Sequence, residues 1–116
     1  MSAVALKERL RADLKAAMQA RAVGEVGVLR TLIAALDNAE AVPGEGVQDY
    51  WAPRALGDPS GEVPRRELDG EAVEHVLQGE IDVRLAAAAD YERHGREGDA
   101  GRLRDEADLI ARYRRA

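Results

Sequence analysis

Cysteine is absent from this 116-residue chain, and so is phenylalanine. The lack of cysteine excludes a disulfide framework, a zinc–thiolate centre and a cysteine nucleophile. The two histidines, His75 and His94, stand 19 residues apart, and neither sits in a metal-ligand spacing. Lysine occurs twice against 15 arginines, and the aromatics are Trp51 and three tyrosines. No run of 18 apolar residues occurs, so no membrane span is expected. The opening MSAVALKERL meets charge before an apolar signal region can form, so it does not read as a signal peptide. A soluble, cytoplasmic protein with no membrane contact is the expectation.

What is present favours helix. Alanine reaches 22 residues, 46% of the chain is hydrophobic and 34% is charged. Ala, Leu, Arg and Glu are all good helix formers, which predicts an all-α fold. The length suits one small domain that can bury roughly two-thirds of its unfolded surface. The net charge of −5 is uneven: +1 over residues 1–40, −2 over 41–67, −6 over 68–92 and +2 over 93–116. A general nucleic-acid binder carries a basic excess. Here any contact with a polyanion must use a local patch on the first or last segment.

Periodicity divides the chain into four helices. Leu6, Leu10, Leu14 and Met18 form a stripe over about 3–22, with Gly24 as the expected stop. Val26, Leu29, Leu32, Ile33, Leu36 and Ala39 line a second helix over about 25–40. Asp69 is a candidate N-cap for a third, over 70–94, whose stripe is Val73, Leu77, Ile81, Leu85 and Ala88. Gly95 suits its left-handed C-terminal turn. Asp99 is a candidate N-cap for a fourth over 99–113, lined by Leu103, Ala107, Ile110 and Tyr113. Short connections predict two antiparallel helical hairpins in a small bundle. All four prolines fall in residues 41–67 with four glycines, which predicts a long loop between the hairpins.

Few residues in the chain carry chemistry. Ser2, Thr31 and Ser60 have no activating neighbour for nucleophilic work. Glu71, Glu74 and His75 cluster on one helix turn, which supplies too few ligands for a metal. Gly44-Glu45-Gly46 has no strand before it and no Gly-Lys pair after it, so it is not a phosphate-cradling loop. No catalytic residue, cofactor or metal ligand is therefore assigned. Two features remain. Lys7, Arg11 and Lys15 form a row one turn apart, and Arg102 and Arg112 stud the last helix. Arginine forks suit phosphate oxygens. Tyr50 and Trp51 stand together in the long loop, either folded back on the bundle or serving as a protein-contact anchor.

The helices also carry a resemblance. LKERLRADLKAAMQAR, VLRTLIAALDNAE and VLQGEIDVRLAAAADYERHGREGDAGRLRDEADLIARY resemble the YqeY-like (GatB/YqeY) family in order and spacing, and the resembling helices cover about 90 of the 116 residues. That family is related to the helical and tail domains of the GatB subunit of tRNA-dependent amidotransferase. Residues 41–67 are longer than its usual linker, and no second subdomain follows Tyr113, so the chain resembles a short form. The resemblance implies a non-catalytic accessory module that contacts tRNA or a tRNA-processing complex. Lys7, Arg11, Lys15, Arg102 and Arg112 are the candidate phosphate contacts. The alternative is a protein-interaction or scaffold module, in one form a homodimer, using the acidic 68–92 segment, Ala86–Ala89 and Trp51. A carbon–nitrogen ligase with glutamine as amide donor is the further reading the resemblance offers, though no ATP, glutamine or magnesium site is visible in the sequence.

Overall fold

A computed structural model of the chain describes residues 1–41 and 67–114. Among these described residues it has four helices: α1 (Ala3–Gln19), α2 (Val23–Glu40), α3 (Gly70–Arg93) and α4 (Glu97–Ala111). No strand occurs among the described residues, and the fold is an all-α bundle. The Tyr50–Trp51 pair and nearly all of the Pro/Gly-rich segment lie outside them.

Local chemistry sets the helix ends. The Ser2 hydroxyl accepts from the Ala5 N–H at 3.1 Å, and the Asp69 carboxylate accepts from the Ala72 N–H at 2.8 Å. Each satisfies one of the first-turn donors that a helix leaves open. The two short connections use one device. After α3, Gly95 takes φ +74°, Arg96 N–H donates to Tyr91 O at 2.8 Å, and Gly95 N–H donates to Glu92 O at 3.0 Å. After α1 the same pair of bonds runs from Ala22 to Ala17 and from Arg21 to Met18, but the left-handed residue is Arg21 at φ +56°. Both are Schellman turns.

Two expectations about ends are thus corrected. Gly24 does not stop α1; it lies inside α2, and a non-glycine makes the turn. Asp99 is not an N-cap. Arg96 holds that position without a side-chain cap, and Asp99 lies in the first turn, 2.7 Å from the Arg96 guanidinium.

The core is aliphatic. Leu6 and Leu10 of α1, Leu29, Leu32 and Leu36 of α2, Leu77 of α3 and Ile110 of α4 are its largest fully buried side chains. Central α2 contacts all three other helices, while α3 packs most extensively on α4. Near one end of the α1–α2 pair, Lys7 meets Asp37 and Glu40; near the other, Met18 meets Arg30. Arg84 of α3 meets Glu106 of α4, and Glu92 meets Arg104.

Strict four-residue spacing misplaces two expected core residues. Four residues advance a helix by about 400°, so such a stripe drifts about 40° per step. Over Leu6 to Met18 the drift is about 120°, and Met18 ends half exposed while Ala17 takes the inward position. In α3, Leu85 is likewise exposed. The buried series is Val73, Leu77, Ile81 and Ala88, and Arg84 fills the gap between the last two. Its side chain is only 11% exposed, held by Glu80 at 3.2 Å and Glu106 at 3.1 Å. Placing a guanidinium there requires such partners, because a buried charge without them is strongly disfavoured.

Candidate nucleic-acid interface

The five expected phosphate contacts separate into three groups. Lys7 stands against the end of α2. Its ammonium lies 2.5 Å from Glu40 Oε1 and 3.2 Å from Asp37 Oδ1, and its side chain is 11% exposed. The bond to Glu40 raises the Lys7 pKa above its ordinary 10.5; burial opposes that shift and Asp37 reinforces it. The cation is therefore neutralised within the fold rather than offered outward.

Arg11 and Lys15 form the second group. Both are exposed, and neither makes an ion pair with a described residue. The drift that pushes Met18 outward also turns this row. From Lys7 to Lys15 it winds about 80° away from α2 toward solvent. Arg30 of α2 joins the flank, its guanidinium 3.9 Å from Met18 Sδ. Sequence reading missed Arg30 because it stands on a different helix from the row it extends. Glu8 is the acidic residue beside this group.

Arg102 and Arg112 form the third. They line a cavity of about 310 Å³ between the start of α2 and α4, with Gly24, Glu25, Val28, Asp105, Glu106 and Leu109. Arg102 is paired with Glu106 at 3.3 Å and lies 3.7 Å from Asp99. Arg112 also borders an adjoining cavity of about 350 Å³ with Asp13, Ala16 and Ala20 of α1. On the helix circumference those three residues stand about 150° from Arg11 and Lys15. The two basic segments therefore lie on different flanks, with carboxylates around the second.

A tyrosine latch fixes the end of α4 on α1. Tyr113 is buried, its hydroxyl donates to Asp13 Oδ2 at 2.5 Å, and the Arg9 guanidinium lies 4.9 Å from its ring centroid. Burial, then the bond to Asp13, pushes the Tyr113 pKa well above its ordinary 10. The neutral phenol is thus the form the fold keeps. Nearby, Arg114 bridges to Glu74 at 3.0 Å and to Gln78 at 2.5 Å on α3. Sequence reading had placed Tyr113 in the core, but it gave no sign that Asp13 would meet it from 100 residues away.

The remaining sequence features are dispersed. Glu74 faces Arg114, whereas His75 is exposed beside a cavity lined by Asp69, Glu71 and Val76. Among the described residues no three His, Asp or Glu side chains converge as metal ligands. Within Ala86–Ala89, Ala88 is buried against the bundle and Ala86 is exposed. No helix of the described residues is long and apolar enough to cross a membrane. No family model matches the chain, and no curated protein matches it.

Proposed function

We propose that this chain is a non-catalytic accessory module that contacts tRNA through the outward flank of α1 and α2. Its helices form two antiparallel hairpins joined by the 41–67 segment, in the manner of the GatB/YqeY family that the sequence resembles. It works in the cytoplasm, either on tRNA itself or on a tRNA-processing complex. The observation that carries the reading is the state of Arg11 and Lys15: exposed, one turn apart and without an ion pair to any described residue, with Arg30 extending the row. Phosphate contacts of this kind position a nucleic acid without reading its bases.

The test is binding of labelled total tRNA at two salt concentrations, with an unrelated folded RNA as competitor. Two or three phosphate contacts predict a log–log salt slope of about −2. Reversing Arg11→Glu and Lys15→Glu together weakens binding at least about tenfold and flattens that slope by about 1 to 2. Absence of saturable binding at low salt overturns the reading.

A second reading has its own observation. Val83 and Leu85 of α3 are 65% and 45% exposed within the segment of highest negative charge. Standing about 200° apart around the helix, they form no shared patch, and each would serve only as a single contact point on a protein partner. In that case the chain is a protein-interaction module, in its simplest form a homodimer. Sedimentation giving a monomer at every concentration removes the homodimer.

A further inference from the structure

Opposite charges that meet in this molecule are generally joined: Arg84 to Glu80 and Glu106, Arg102 to Glu106, Arg114 to Glu74. The cavity between the start of α2 and α4 holds that Arg102–Glu106 pair and, beside it, charges that are not joined. Glu25, Asp105 and Arg112 all line it, all are exposed, and none makes an ion pair with a described residue. Asp105 and Arg112 are seven residues apart on α4, which puts them on one face about 10 Å apart along the axis. Leu109 lies between them on that face, and Val28, 3% exposed, meets it from α2. The cavity therefore has the Asp105 carboxylate at one end, beside the mutually neutralised Arg102–Glu106 pair, and the Arg112 guanidinium at the other, with Leu109 between. Its volume of about 310 Å³ matches the lower end of small-molecule sites.

We propose that this cleft binds an extended zwitterion, in chemical class an ω-amino acid. The ligand's ammonium meets the Asp105 carboxylate. Its carboxylate meets the Arg112 guanidinium in a two-point contact. Its methylene chain covers Leu109, which removes apolar surface there from water. A compact zwitterion such as glycine reaches only one end. An alkylamine or an alkanoate satisfies one charge and leaves the other unmatched. The site is separate from the Arg11–Lys15 flank, so it does not depend on the tRNA reading.

The test is an amide ¹H–¹⁵N titration of the full chain with ε-aminocaproate, glycine, hexylamine and hexanoate in turn. Saturable shifts at Gly24, Val28 and Leu109 are expected with ε-aminocaproate, and binding about fivefold weaker or worse with the other three. Arg112→Gln weakens ε-aminocaproate about fivefold and abolishes its advantage over hexylamine; Asp105→Asn abolishes its advantage over hexanoate. Both side chains are exposed, so unchanged helical circular dichroism is expected for both variants. A short peptide ending in lysine carries the same pair of charges at the same span. If it binds more tightly than the free compound, the site takes a protein C-terminus; if more weakly, it takes a free small molecule. Either result supports the zwitterion chemistry. Equal affinity for hexylamine in the parent chain, or no saturable shift in tens of millimolar ligand, overturns the proposal.

Discussion

Replacing Lys7 by methionine separates a structural cation from a nucleic-acid contact. Lys7→Met keeps the length and the apolar stem of the side chain while removing the ammonium that Glu40 and Asp37 share. Exposed ion pairs contribute about 0.2–1 kcal/mol, whereas breaking a buried pair costs about 3–5 kcal/mol. The Lys7 and Glu40 side chains are 11% and 13% exposed, and Asp37 is 41% exposed, which puts the loss between those limits, at about 2 kcal/mol. In a domain of this size that lowers Tm by about 10 °C. Most of the loss comes from the carboxylate left without its partner. The double variant Lys7→Met/Glu40→Gln should therefore recover to within about 1 kcal/mol of the parent. Urea and thermal unfolding followed by circular dichroism measure both. The tRNA titration, run on the same Lys7→Met protein below its Tm, should match the parent, in contrast to the Arg11/Lys15 reversal. An unchanged unfolding midpoint combined with weakened tRNA binding refutes the structural assignment and returns Lys7 to the interface.

The two left-handed turn residues predict effects of opposite sign. Arg21→Gly relieves a positive φ and should stabilise by about 0.5–1 kcal/mol, while Gly95→Ala should destabilise by about 1 kcal/mol, both read from urea midpoints. Tyr113→Phe removes the phenol donor to Asp13 and should cost about 1.5 kcal/mol, with little change in helicity at 25 °C. Stability should also fall on the alkaline side. Both Tyr113 and Lys7 have folded pKa values raised above their ordinary 10.0 and 10.5. Their contributions are complete below those ordinary values and are lost as pH rises toward the folded ones, because the unfolded chain releases its protons first. Each group adds a slope of at most about 1.4 kcal/mol per pH unit. Denaturation at pH 8, 10 and 11 should show the decline, and Tyr113→Phe should remove the phenol's share. A flat profile refutes the linkage.

The helices were legible because their signals are local. Asp69 caps α3 and Gly95 turns its end as their residue types predict, and Leu6, Leu10, Leu32, Leu36 and Leu77 are buried where the apolar period puts them. The two misplaced core residues share one physical source. A four-residue count runs ahead of the 3.6-residue helix, so Met18 and Leu85 were carried off the inward face. Arg84 could not be placed from its neighbours, since a charged side chain enters a core position only when partners meet it, and Glu106 stands on another helix. Arg21 was passed over because the turn it makes usually falls to glycine, and Gly24 stood three residues away.

The candidate site was less legible than the fold because its signals are not local. A row of cations along one helix is visible in sequence, but whether each is free depends on what the next helix presents. Lys7, Arg11 and Lys15 differ by one turn each and share a residue class, yet α2 ends beside Lys7 and supplies two carboxylates there. The winding of the row then leaves Arg11 and Lys15 beyond its reach. Arg102 stands between Asp99 and Glu106, so acids hold it before any ligand arrives. Charge in this chain is decided pair by pair across helix contacts. Arg11 and Lys15 on one flank and Glu25, Asp105 and Arg112 on the other make no ion pair with a described residue, and an external partner can gain from binding there. A partner charge brought to them displaces only water, whereas one brought to Lys7 must first break an internal ion pair. Binding free energy should accordingly respond to mutation at those five residues, and folding free energy at Lys7, Arg84 and Tyr113.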